Sequence, residues 1–178
     1  MIGITGGVAE GKSTVLQYLA DLGYQTLSAD AVARDVFDVP SVNSKISAVF
    51  GLELATRELV REKIAQAPFL RRALNQMMHG LVLDRILSSE ADFVEVPLLI
   101  ETCLTREFDA IWVVTCGAEE QLKRLTARLN DPVLAGSILR SQLPTCVKVP
   151  FADRIVRTNE PVESVKAFVQ FCAKQDLS

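Results

Sequence analysis

The sequence predicts an α/β fold, a three-layer α/β/α sandwich around a five-stranded, mostly parallel sheet. Three observations carry this expectation. Short apolar runs alternate with segments of helical periodicity along the chain, the pattern of strands joined by crossover helices. The first run, Ile2-Gly3-Ile4-Thr5, stops at glycines and leads straight into a helical pattern. Residues 41–90, by contrast, show helical periodicity and no strand, as expected of a helical insertion between strands of the core.

The elements follow in order. After the opening strand, residues 12–22 place Val15, Leu16 and Leu19 on one helical face, and Gly23 ends that helix. Residues 24–28 read as a second strand with Asp30 at its carboxyl end, and 30–37 as a helix that stops before Pro40. Three helical patterns cover 41–50, 56–67 and 68–87. The strand pattern resumes at 93–97, and 110–116 is an uninterrupted strand, Ala-Ile-Trp-Val-Val-Thr-Cys, to which Trp112 contributes packing and no function. A helix over 118–129 carries Gln121, Lys123, Arg124 and Arg128 on polar faces, and Asn130-Asp131-Pro132 breaks it. A further helical segment at 133–143, a strand at 154–157 and an amphipathic helix at 161–174 complete the chain.

Composition narrows the function. A chain of 178 residues suits one compact domain, and 49% hydrophobic content supplies a sizeable core. A net charge of −3 argues against a nucleic-acid partner, which calls for a basic patch. No run approaches the roughly 18 apolar residues of a membrane helix, and the first residues lack the basic region of a signal peptide. Cys103, Cys116, Cys146 and Cys172 form no C-x-x-C pair, and His79 is the single histidine. These point to reduced, mostly buried thiols in a cytoplasmic protein rather than to zinc or disulfides.

Gly6-Gly7-Val8-Ala9-Glu10-Gly11-Lys12-Ser13 matches G-x-x-x-x-G-K-[ST] between a strand and a helix, the setting that a phosphate-binding P-loop requires. Glycines let the turn point several amides at one anion, and the helix that begins near Lys12 adds its positive end. Gly7, Val8, Ala9, Glu10, Gly11, Lys12, Ser13 and Thr14 are therefore the expected contacts of ATP. Lys12 would reach the β- and γ-phosphates, and Ser13 would ligate Mg2+. Glu10 is the odd member, expected to point outward and leave only its amide at the loop. Asp30 would face the γ-phosphate as base or orienting group for an acceptor hydroxyl, with a helix N-cap as its plain alternative.

Several motifs, taken together, resemble the dephospho-CoA kinase family. Thr5 to Thr14 matches its T-G-G-I-x-x-G-K-S-T, and Ser28-Ala29-Asp30-Ala31-Val32-Ala33-Arg34 meets its D-A-D-x-x-A-R. Pro97-Leu98-Leu99-Ile100-Glu101 matches P-L-L-x-E, Gln121-Leu122-Lys123-Arg124 matches Q-L-x-R, and Ser141-Gln142-Leu143-Pro144 matches S-Q-L-P. Ala152-Asp153 parallels the A-D before the family's last strand. The likeness runs in order from residue 1 to about 160. Departures are Ser28 for the first aspartate, Gly80 for the proline after His79, Ile138 for a lid arginine and Arg157-Thr158 for D-N.

The resemblance implies a P-loop kinase domain over 1–178. It further implies a helical substrate-binding region at 38–90, a lid at 125–150, and Asp30 and Lys12 as catalytic residues. It implies ATP-dependent phosphorylation of the ribose 3′-hydroxyl of dephospho-CoA by a cytoplasmic protein, expected as a monomer with an oligomer left open. Arg34, His79 and Glu101 become candidate substrate contacts. Arg34 would otherwise screen Asp30, His79 be a partly buried helix histidine, and Glu101 cap a helix end. Arg124, Arg128 and Arg140 are candidate lid cations, with a solvated basic face as the alternative. Glu95 stands where many such kinases carry an aspartate near magnesium. The loop alone also allows another small-molecule acceptor, or a nucleotide-binding module without turnover.

Overall fold

The computed structural model describes residues 1–177. Its chain divides into two compact units, one made of Met1–Ser28 with the chain from Glu90 onward, the other Ala29–Ser89.

The first unit is a five-stranded parallel sheet in the order β2-β3-β1-β4-β5, with β1 at Ile2–Thr5, β2 at Thr26–Ser28, β3 at Phe93–Glu95, β4 at Ala110–Thr115 and β5 at Arg154–Arg157. All four pairings are parallel, so every strand delivers its carboxyl end to the same edge. Ile4 pairs with Glu95 and Thr115 with Arg157, which sets the strand ends side by side. Ligands of such sheets bind at that edge.

Alternation along the strands explains the layers. Ile2, Ile4, Phe93, Trp112, Val114 and Val156 share a core with Val15 and Leu19 of α1 (Lys12–Asp21) and Val165, Val169, Cys172 and Ala173 of α9 (Val162–Asp176). Tyr24, Phe93 and Trp112 stack edge to face at 5.4 and 5.2 Å. On the other face Gly3 is needed for close packing, because a Cβ there would meet Leu99 and the Phe108 ring. Trp112 donates its indole N–H to Asp176 at 2.8 Å, and Arg154 also grips that carboxylate. Both tie β4 and β5 to α9.

The second unit is helical: α2 (Ala29–Phe37), α3 (Pro40–Phe50), α4 (Arg57–Gln66) and α5 (Leu70–Leu87). Thr56 caps α4 by accepting from the Leu59 amide. α2, α3 and α4 each pack on α5.

Among the described residues the first unit also holds the α-helices α6 (Ala118–Leu129), α7 (Pro132–Arg140) and α8 (Thr145–Lys148), with short 3-10 turns at Leu104–Glu107 and Val149–Phe151. Asp131 caps α7 through the amides of Val133 and Leu134. Two strands are shorter than their apolar patterns, because ladder pairing in β2 begins at Thr26 and in β3 ends at Glu95. Cys103 and Cys146 are exposed, while Cys116 and Cys172 are buried, so half the thiols depart from the expected burial. No helix among the described residues is long and apolar enough to cross a membrane.

Candidate active site

The phosphate loop joins β1 to α1 at the sheet's carboxyl edge. Its curvature needs left-handed backbone at Gly6 (φ 151°), Ala9 (φ 61°) and Gly11 (φ 92°). Gly6 is obligatory, since a Cβ there would run into the Val114 carbonyl oxygen. Ala9 holds a conformation uncommon for a residue with a side chain, the kind of local strain that accompanies anion-binding turns. Lys12 is 8% exposed and lies across the loop, its Nζ donating to the Gly7 carbonyl at 2.9 Å and standing 3.9 Å from Glu95 Oε1. Ser13 and Thr14, in the first turn of α1, are exposed. A curved run of amides, a helix N-terminus, a lysine and a free-facing hydroxyl are the donor set that a magnesium-bound polyphosphate needs, so the residues fit that group.

Glu10 corrects the sequence expectation. It does not point outward but is 1% exposed. Its Oε2 accepts from the Gly7 amide and the Thr145 hydroxyl, each at 2.5 Å, and its Oε1 accepts from the Thr115 hydroxyl at 3.0 Å. The reason is tertiary. Donors from β4 and α8 converge behind the loop and make burial cheaper than it would be for an unpartnered carboxylate.

Side chains from α6, the turn after α7 and the turn after β5 lace the rim of the loop. Gln121 Nε2 donates to the Val8 carbonyl at 2.9 Å, and Gln142 Oε1 accepts from the Val8 amide at 3.3 Å. Thr158 donates to the Glu10 carbonyl at 2.7 Å. Arg124 donates to the Thr158 hydroxyl and carbonyl at 3.1 and 2.8 Å, and it pairs with Glu120. That guanidinium holds the Glu120 carboxyl below the usual carboxylate range. Arg124 is thus a brace between α6 and the loop after β5. Arg128 and Arg140 are exposed. A cavity of about 630 Å³ opens beside the loop, with Glu10, Thr115, Arg140, Gln142, Thr145 and Arg157 in its walls. Nearby Cys116 is buried, and its thiol is pushed up from its ordinary value chiefly by desolvation.

Glu101 caps no helix; it pairs with Lys148 at 2.8 Å. Lys148 is 2% exposed and also donates to the Pro97 carbonyl, at 3.0 Å. Sequence reasoning missed this residue. Its signal was present, since Lys148 is the only charged residue between Arg140 and Asp153 and sits among apolar neighbours. Thr115, Thr145 and Thr158 were also missed, because hydroxyls at strand ends and turns carry no pattern of their own.

In the helical unit, Asp30 lies inside the first turn of α2 rather than at its cap, one residue after β2's neighbour Ala29. Asp30 and Arg34 are one turn apart on the same exposed face, and His79 is exposed on α5.

Comparison with known proteins identifies the family and the fold. The family model for dephospho-CoA kinase matches residues 1–163. A dephospho-CoA kinase of Carboxydothermus hydrogenoformans is 36% identical to this chain, over 93% of the chain and 89% of that protein. Among solved structures, TT1252 from Thermus thermophilus superposes with a TM-score of 0.85 at 24% identity, covering 99% of this chain and 97% of its own. Dephospho-CoA kinase from Campylobacter jejuni superposes with a TM-score of 0.67 at 22% identity, covering 98% and 96%. At those identities the two structures share the fold, that of a P-loop kinase.

Proposed function

The chain belongs to the dephospho-CoA kinase family, and from that membership we propose that it transfers the γ-phosphoryl group of ATP to the ribose 3′-hydroxyl of dephospho-CoA, giving CoA and ADP. The phosphate loop, curved at the sheet edge with Lys12 across it and Glu95 behind, supports the nucleotide half of this reading. The observation that carries the acceptor is the family match over residues 1–163, which spans the motifs at 28–34 and 97–101 as well as the loop.

In this mechanism the loop amides and Lys12 hold the ATP phosphates. The Ser13 hydroxyl would help hold magnesium, which would supply charge neutralisation on the phosphates. Lys12 leaves the Gly7 carbonyl for phosphate oxygens when ATP binds. Asp30 accepts the proton of the attacking hydroxyl, and Arg34, His79 and Glu101 bind the acceptor. Arg128 and Arg140 are free to turn toward the phosphates from residues 125–150, which act as the lid, while residues 38–90 present the acceptor. Positioning and preorganised charge supply most of the acceleration. The same reading has the protein working as a cytoplasmic monomer without nucleic acid or membrane, in keeping with its net charge of −3.

The test is a coupled ADP-release assay with ATP, magnesium and dephospho-CoA, beside Asp30→Asn. Turnover that requires dephospho-CoA and falls about 10²- to 10⁴-fold in the variant supports the acceptor and the base. Phosphate transfer to a nucleoside monophosphate instead, or ATP binding with no ADP formed, overturns it.

A further inference from the structure

The segment 141–149 is placed over the loop by polar ties more than by packing. Its buried side chains are the polar Thr145 and Lys148, Val147 is 46% exposed, and the 630 Å³ cavity lies beside it. Lys148 anchors its far end to Glu101 and the Pro97 carbonyl. Three ties connect it to the loop. Thr145 donates to Glu10 and accepts from the Gly7 amide at 3.1 Å, and Gln142 accepts from the Val8 amide. Glu10 makes the first of these and adds two contacts of its own, so that it joins the loop through the Gly7 amide, the end of β4 through Thr115 and the start of α8 through Thr145. None of the ion pairs among the described residues involves Glu10. Its buried charge is therefore met by neutral donors, and losing one leaves a carboxylate short of partners. That makes Glu10's contacts with Gly7, Thr115 and Thr145 interdependent.

We propose that Glu10 is a positioning residue that straps the segment 141–149 to the phosphate loop before nucleotide arrives, presetting both the loop's outer amides and the cover above them. The proposal rests on the loop being the ATP site. With the strap intact, ATP meets a loop already shaped, and less ordering remains to be done on binding. The strap acts on nucleotide affinity more than on the chemical step.

The experiment is amide hydrogen exchange on the nucleotide-free full chain, followed by ATP kinetics, for wild type, Glu10→Ala, Glu10→Gln and Thr145→Val. Glu10→Ala should speed exchange in 141–149 about tenfold, the size expected for loss of one charge-assisted hydrogen bond, while the strand 110–115 keeps its protection. Gln retains an acceptor for Gly7 and Thr145, and the Thr115 hydroxyl can turn to accept from its amide, so Glu10→Gln should restore about half of the lost protection on a free-energy scale, leaving exchange about threefold faster than wild type. Thr145→Val should resemble Glu10→Ala, and it serves in its place if the alanine variant misfolds. In Glu10→Ala the KM for ATP should rise about tenfold, with kcat changing less. Unaltered exchange in 141–149 overturns the proposal. So does Glu10→Gln behaving as Glu10→Ala, since an acceptor in the same place would then hold nothing. A lower KM for ATP in both variants would show the carboxylate opposing nucleotide, and overturns it too. Because exchange is read without substrate, a wrong acceptor leaves the strap result standing.

Discussion

Breaking the Lys148–Glu101 pair from its two ends should give unequal costs. The ammonium is 2% exposed and the carboxylate side chain 23% exposed. Glu101→Ala leaves the buried ammonium with the Pro97 carbonyl as its remaining acceptor. Removing one partner of a buried pair costs about 3–5 kcal/mol, and partial access of water to this pair puts the change near 3 kcal/mol. Lys148→Met keeps most of the side-chain volume, and the carboxylate left behind can turn to water. The Pro97 carbonyl still accepts from the Thr5 hydroxyl at 3.2 Å. That change should cost about 1 kcal/mol. The double variant should resemble Lys148→Met, short of additivity by about 2–3 kcal/mol. Urea unfolding at neutral pH measures each, and Tm should drop by about 6–12 °C for Glu101→Ala at roughly 2–4 °C per kcal/mol. Equal, additive costs for the two single variants would refute the view that burial of the cation sets the energy.

Lys12→Ala should slow ATP turnover on the order of 10²-fold or more, and normal kcat/KM in that variant would remove the lysine from the mechanism. Gly6→Ala, pushing a Cβ against the Val114 carbonyl, should destabilise by about 3 kcal/mol and abolish ATP binding, as read by urea unfolding and calorimetry. The Asp176 carboxyl is held below the usual aspartate range first by its Arg154 hydrogen bond and then by the Trp112 indole. Because the folded value is the depressed one, its stabilisation is complete above the unfolded value of about 4 and is lost as pH falls through the folded value. Asp176→Asn should therefore flatten the acid limb of urea midpoint against pH, and parallel limbs would contradict this. A thiol reagent at pH 8 should modify exposed Cys103 and Cys146 quickly. Buried Cys116 and Cys172, their thiols pushed up chiefly by desolvation, should lag well behind.

Local pattern revealed the elements that repeat a rule along the chain. The strand 110–116 was legible because parallel strands covered on both faces are continuous apolar runs, and the loop because its spacing is a backbone requirement. Helix ends were legible within a residue or two at Thr56 and Asp131, whose side chains satisfy their own helices' amides. The ends of β2 and β3 were not, since pairing partners rather than the strands themselves set where a ladder stops.

By itself, then, the sequence determined the α/β class, the phosphate loop and the order of motifs that carries family membership, because each is written in neighbouring residues. The tertiary structure alone decided the strand order β2-β3-β1-β4-β5, the inward turn of Glu10, the burial of Lys148 against Glu101 and the bracing of Thr158 by Arg124. Each of these joins residues about 30 to 140 positions apart. A buried charge is tolerated only where distant donors or acceptors converge on it, and no local spacing announces that convergence.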